Sequence, residues 1–128
     1  MSKVVLDASA LLALLNNEPG AEKLTLRLLA GAVVSTVNLA EVQSWLVKAG
    51  IDPADAWQAT ITPVAEIAAF TAEQAKIAGS LTALTRALGL SLGDRACLAL
   101  AIALGAPVYT ADRSWKGLRL GISIHLIR

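Results

Sequence analysis

Soft metal ligands and oxidisable thiols are almost missing from this sequence: 128 residues hold one cysteine, Cys97, and one histidine, His125. A lone cysteine forms no internal disulfide, and one residue of each kind is too few for a zinc site. Cys97 lies in an apolar run and reads as a small buried hydrophobe, compatible with a reducing cytosol. His125 falls in the last predicted strand and reads as a strand-edge residue rather than a ligand or general base. A Ser-His-Asp hydrolase needs a histidine beside its nucleophile, so that class is disfavoured. No GxGxxG or GxxxxGKS pattern occurs, which sets aside dinucleotide and P-loop chemistry.

Charge is scarce too. Only 16% of residues are charged, against about 25% in ordinary domains. Eleven basic and ten acidic side chains leave a net charge of +1, so no basic footprint announces a nucleic-acid binder. The longest uncharged run, Ala96 to Ala111, is too short to span a membrane and contains Gly105 and Pro107. The apolar N-terminus could pass for a weak signal peptide, but Asp7 interrupts it and no convincing cleavage site follows.

What is abundant is apolar surface, at 55% of residues with a mean hydropathy of +0.61. That excludes disorder and disfavours a coiled coil. A single domain, 1–128, of this mass should fold to about 6,400 Å² of surface, burying about two-thirds of what the unfolded chain exposes.

Strand and helix signals alternate along the chain. Val4 to Leu6, Ala32 to Ser35 and Val108 to Thr110 read as short buried strands, and Ile122 to Ile127 as a last alternating one. A further strand is expected around Val64 to Ala68. Helices are expected over Ser9 to Leu15, over Ala21 to Ala30, from Thr36 or Asn38 to Ala49, and from Pro53 behind an Asp52 cap. Thr71 and Gln74 look like a capping box for a long helix to about Leu88. Ser91 and Asp94 look like another, opening a buried helix to Leu104. This order predicts an α/β fold with a mainly parallel central sheet flanked by helices.

In such a fold helices begin at the edge where strands end. Asp7, Glu41, Asp94 and Asp112 all fall at that carboxyl edge, where open α/β sheets bind ligands. Each also has a plain structural reading. Asp7 could cap a helix, Asp94 could be a capping-box acid, Glu41 could favour a helix dipole and Asp112 could sit in a turn. Carboxylates about 5 Å apart repel by about 3 kcal/mol at an effective dielectric of 20, so a gathered set calls for a cation. An all-oxygen set suits Mg²⁺ or Mn²⁺. Metal-assisted phosphodiester hydrolysis is compatible with it. Arg95 and Arg113 follow two of the acids directly, and Lys116 and Arg119 come close behind; they are candidate phosphate contacts or simply solvated charges.

Four segments, VVLDASALLALL, STVNLAEV, LSLGDRACLALA and VYTADRSW, resemble in order and spacing the PIN-domain family, and most closely its VapC toxins of type II toxin–antitoxin pairs. They span nearly the whole chain. The resemblance implies a PIN-like three-layer fold and a cytoplasmic Mg²⁺- or Mn²⁺-dependent ribonuclease. Asp7, Glu41, Asp94 and Asp112 would form its acidic site, with Asp7, Asp94 and Asp112 as metal ligands. Ser9 and Thr110 would orient the carboxylates. It also implies a small VapB-like antitoxin and a homodimer.

Trp45, Trp57 and the leucines of Leu24 to Leu29 could be core or could face a partner. Trp115 could stack a base beside Asp112 or cover the core. The competing functions are a housekeeping PIN-type RNA-processing nuclease, a metal-dependent phosphatase or phosphoryl-transfer domain with Asp7 as covalent nucleophile, and a non-catalytic RNA-binding module.

Overall fold

The computed structural model describes residues 2–128. Their five strands are β1 (Val4–Leu6), β2 (Ala32–Ser35), β3 (Glu66–Ala68), β4 (Val108–Thr110) and β5 (Ile124–Leu126). All pair in parallel, in the order β3-β2-β1-β4-β5. The helices are α1 (Ala8–Leu15), α2 (Leu26–Leu29), α3 (Thr36–Lys48), α4 (Pro53–Ile61), α5 (Ala72–Ser80), α6 (Thr82–Thr85) and α7 (Leu92–Leu104). The solvent-accessible surface is 6705 Å², close to the value expected from mass.

The pleat divides the core. Val4 and Leu6 of β1 join Val34, with Leu11 of α1 and Leu39, Val42 and Leu46 of α3, on one side of the sheet. Val5, Val33 and Val108 face the other side, against Cys97, Leu98, Leu100 and Ala101 of α7. Side chains of successive strand residues point to opposite faces, so a strand of three apolar residues serves both layers. This is the expected three-layer α/β arrangement.

Two predicted helices break up. Ala21 to Ala30 is a 3-10 turn at Ala21–Lys23 followed by the single-turn α2, because Thr25 starts afresh as an N-cap, its hydroxyl accepting from Leu28 N. The long helix to Leu88 ends at Ser80 and continues as α6 and a 3-10 turn over Arg86–Leu88. Ser35, rather than Thr36 or Asn38, caps α3, and Asp7 itself caps a helix that starts at Ala8. The last strand is shorter than expected, Ile124–Leu126.

β1 leads through α1 and α2 to β2 on one side of it, while β4 pairs along its other side. The strand order therefore reverses between β1 and β4, and in open α/β sheets ligands bind beyond the carboxyl ends at such a reversal. No helix among the described residues is long and apolar enough to cross a membrane.

Candidate active site

Asp7 ends β1, and its carboxylate is the most enclosed of the acids, at 3% exposure. Oδ1 accepts from Ala10 N at 2.8 Å and from Ser9 Oγ at 2.8 Å. Oδ2 accepts from Thr110 Oγ1 at 2.6 Å and lies 2.9 Å from Ser9 Oγ. Ser9 Oγ in turn accepts from Ala111 N, and Thr110 Oγ1 accepts from Asp112 N. Ser9 and Thr110 thus join Asp7 in a continuous hydrogen-bond network across the β1–β4 switch. Burial pushes the Asp7 carboxyl up to about 6, against the lowering pull of the Thr110, Ala10 and Ser9 bonds; the Asp94 charge adds to the rise.

Asp94 lies in the first turn of α7, half-buried. Its Oδ2 accepts from Ser91 N at 2.9 Å while Ser91 Oγ accepts from Asp94 N, completing the capping box. Asp112, also half-buried, caps the 3-10 turn Arg113–Trp115 through Ser114 N. Three of the four plain structural readings are therefore true. They are compatible with a site, because a cap occupies only part of a carboxylate's acceptor capacity.

Glu41 sits on α3, exposed, with Oε1 accepting from Asn38 Nδ2 at 2.8 Å. The same Asn38 amide group donates to the Gly93 carbonyl of α7 at 3.0 Å. A Cβ on Gly93 would overlap the Glu41 carboxylate, so the two helices bring Glu41 to the start of α7, next to Asp94.

Cys97 lies one helical turn beyond Gly93, fully buried. Burial raises its thiol well above the usual range, and the Asp7, Asp94 and Glu41 charges push the same way. The Cys97 sulfur thus lies within the field of three acids from three elements. Asn38, Gly93 and Cys97 are the neighbours that sequence reasoning missed. Asn38 was within reach: three residues before Glu41, it shares a helix face with it.

Among the described residues no three His, Cys, Asp or Glu side chains converge into a ready-made metal cage. Asp7, Asp94 and Asp112 share the edge without closing on one point, since each is turned partly into its own cap. The donor set is nevertheless hard oxygen throughout. Mg²⁺ commonly takes one or two carboxylates and keeps several waters, so these residues fit such an ion without a cage.

The basic residues separate. Arg95 Nη1 donates to Ala78 O and Thr82 Oγ1, each at 3.1 Å, binding α7 to the junction of α5 and α6. Those bonds tie Nη1 of its guanidinium to the scaffold. Arg113 and Lys116 remain exposed, Arg113 Nε reaching only Arg128 O at 3.3 Å. Trp115 is completely buried and lies in the core behind β4, so it covers the core rather than offering a stacking face. Trp57 packs partly buried on the α3 side, whereas Trp45 is 47% exposed. His125 stacks on Tyr109 at 4.7 Å, on the outer strand β5.

Three comparisons with known proteins bear on this site. The PIN domain family model matches residues 4–119. No curated protein sequence gives a significant match. Among solved structures, the chain resembles a DNA-bound VapBC from Salmonella typhimurium, with a TM-score of 0.76 and 20% identity over 100% of both chains. It also resembles VapBC2 from Rickettsia felis bound to a promoter DNA fragment, with a TM-score of 0.74 and 22% identity over 94% of this chain and 96% of that one. A third is VapBC-5 from Mycobacterium tuberculosis, with a TM-score of 0.66 and 23% identity over 100% of this chain and 99% of that one.

Proposed function

Because the chain belongs to the PIN domain family, we propose that it is a Mg²⁺- or Mn²⁺-dependent endoribonuclease of the VapC type, the toxin of a toxin–antitoxin pair. The observation that carries this reading is the buried Asp7–Ser9–Thr110 network at the β1–β4 switch, with Asp94 close enough to act on the Asp7 charge. A buried carboxyl raised toward 6 with a second acid beside it is the environment in which a bound cation favours the ionised form.

Asp7, Asp94 and Asp112 would hold the ion, with Glu41 as the outermost acid of the site. When bound, Mg²⁺ or Mn²⁺ supplies positive charge for the scissile phosphate and acidifies a water for the attack. Ser9 and Thr110 hold the Asp7 carboxylate in one orientation, which removes the freedom it would otherwise lose on binding. Exposed Arg113 and Lys116 would contact the RNA phosphates.

The VapBC names of the structural relatives support a VapB-like antitoxin as partner. The exposed Trp45, Val47 and Ile51 on and just after α3 give such a partner, or a second copy in a homodimer, apolar surface to cover.

The test is cleavage of RNA by the purified chain with and without Mg²⁺ or Mn²⁺. Asp7→Asn and Asp94→Asn should abolish metal-dependent cleavage while circular dichroism stays native. Expression of the wild-type chain alone should arrest growth, and the adjacent small open reading frame should relieve the arrest. Full cleavage by both variants would refute these site residues. Cleavage without growth arrest, at good soluble yield, would favour the housekeeping nuclease.

A further inference from the structure

The acid of the site with the least support from burial is Glu41: it is exposed, and it stands on a different helix from its neighbours. Two residues meet its carboxylate. Asn38 lies three positions earlier on the same face of α3 and is almost wholly buried, at 1% exposure. Both atoms that its Nδ2 meets, Glu41 Oε1 and the Gly93 carbonyl, are acceptors, so the amide must present its NH₂ group to them. The other end, Oδ1, is left buried with no partner. The amide thus keeps its bond to Glu41 while its own oxygen goes unsatisfied.

Gly93 completes the arrangement. It is buried at the first turn of α7, and the atoms nearest to where its Cβ would stand are the Oε1, Oε2 and Cδ atoms of Glu41. The carboxylate occupies the space that a side chain at 93 would fill. Glycine is a poor residue for a helix, where alanine is preferred. Its backbone here is not in the left-handed region, so the gap it leaves for Glu41 accounts for it better than conformation does.

We propose that Asn38 and Gly93 form a seat for the Glu41 carboxylate, with Asn38 as a positioning residue and the missing Cβ of Gly93 as a requirement of the site. The seat holds Oε1 and leaves Oε2 without a hydrogen bond among the described residues. A charge-assisted bond from a buried, immobile donor orients an exposed carboxylate that would otherwise sample many rotamers. Its use in metal binding rests on the function proposed above; the seat itself does not.

The experiment uses the full chain as wild type, Asn38→Ala, Gly93→Ala, Glu41→Ala, and the doubles of Glu41→Ala with each of the other two. Two readouts are taken. The first is the side-chain amide resonance of Asn38 by ¹⁵N NMR without metal. Gly93→Ala and Glu41→Ala should shift it alike, because both remove the carboxylate from the amide, and the double should match Glu41→Ala alone. The second is Mn²⁺ affinity by calorimetry. Asn38→Ala and Gly93→Ala should each weaken it no further than Glu41→Ala does, since both act only through that carboxylate. Neither should weaken it further once Glu41→Ala is present.

Gly93→Ala should keep or raise the thermal midpoint, since the end of a glutamate can swing aside and alanine favours the helix. It therefore serves even if Asn38→Ala folds poorly. An unchanged Asn38 resonance in Gly93→Ala, or affinity losses that add to those of Glu41→Ala, would overturn the seat. A shifted resonance in a chain that binds no Mn²⁺ at all would keep the seat and overturn the metal reading instead.

Discussion

Thr110 Oγ1 donates to Asp7 Oδ2 at 2.6 Å, joining the end of β4 to the end of β1 across 103 positions of sequence. Both side chains are buried, so the bond is shielded from water. It is also the foremost influence holding the Asp7 carboxyl down against its burial. The bond serves the fold by joining neighbouring strand ends, and it serves the site by aiming a carboxylate.

Thr110→Val keeps the shape and removes the donor. The partner left behind is a buried carboxylate, so the cost should be about 1–3 kcal/mol at pH 7. It should shrink under acid conditions, where Asp7 is protonated. Urea denaturation of both proteins at pH 7 and pH 4 measures it; an equal loss at both values would mean that the hydroxyl acts through packing alone.

Asp7 itself should make the metal-free protein less stable as pH rises. Its folded pKa of about 6 lies above the ordinary 3.8, so the folded state holds the proton more tightly. The stabilisation is complete below about pH 4 and is lost as pH climbs through 6. The sum over two pH units is about 3 kcal/mol. Asp7→Asn should remove that slope and unfold at higher denaturant at pH 7. Added Mg²⁺ or Mn²⁺ should raise wild-type stability more at pH 7 than at pH 5, because ligation needs the ionised carboxylate. Denaturation midpoints across pH 4–8, with and without the ion, provide the check.

Asp94 has two duties that different substitutions separate. Asp94→Asn keeps an oxygen for Ser91 N and loses the charge; Asp94→Ala loses both. The alanine variant should be less stable than the asparagine variant by about 1 kcal/mol, the worth of a helix cap. Both should lose metal-dependent RNA cleavage to the same extent. Cleavage that followed stability instead would make Asp94 a cap and nothing more.

Trp115→Ala should cost about 3–5 kcal/mol, as truncation of a buried aromatic does. The ring fills the space beside β4 and β5, which are joined without a crossover α-helix. Thermal unfolding would show the loss. RNA affinity per folded molecule should be unchanged, since no face of the indole reaches solvent.

Much of the layout was legible because local signals carried it. Ala32–Ser35 and Val108–Thr110 are strands within the expected bounds, Asp52 caps α4 ahead of Pro53, and the Ser91–Asp94 box is present. β-Branched runs, cap residues and proline act within a few neighbours, so their effect is written in the order of residues. The misjudged segments were those where competing local choices were close in energy. Thr25 restarted a helix inside Ala21 to Ala30, and the helix after Thr71 stopped at Ser80 and resumed as the short α6.

The sequence by itself determined the alternating elements and the placement of Asp7, Asp94 and Asp112 at helix starts and strand ends, with Glu41 in the second turn of its helix. Tertiary structure decided what each acid experiences there. Enclosure raises Asp7 while Glu41 stays in water; Arg95 is drawn to α5 and Trp115 into the core; Asn38 and Gly93 meet Glu41 across two helices. Desolvation and hydrogen-bond geometry depend on which surfaces pack together, and residues 55 positions apart, such as Asn38 and Gly93, carry no mark of that meeting in their order.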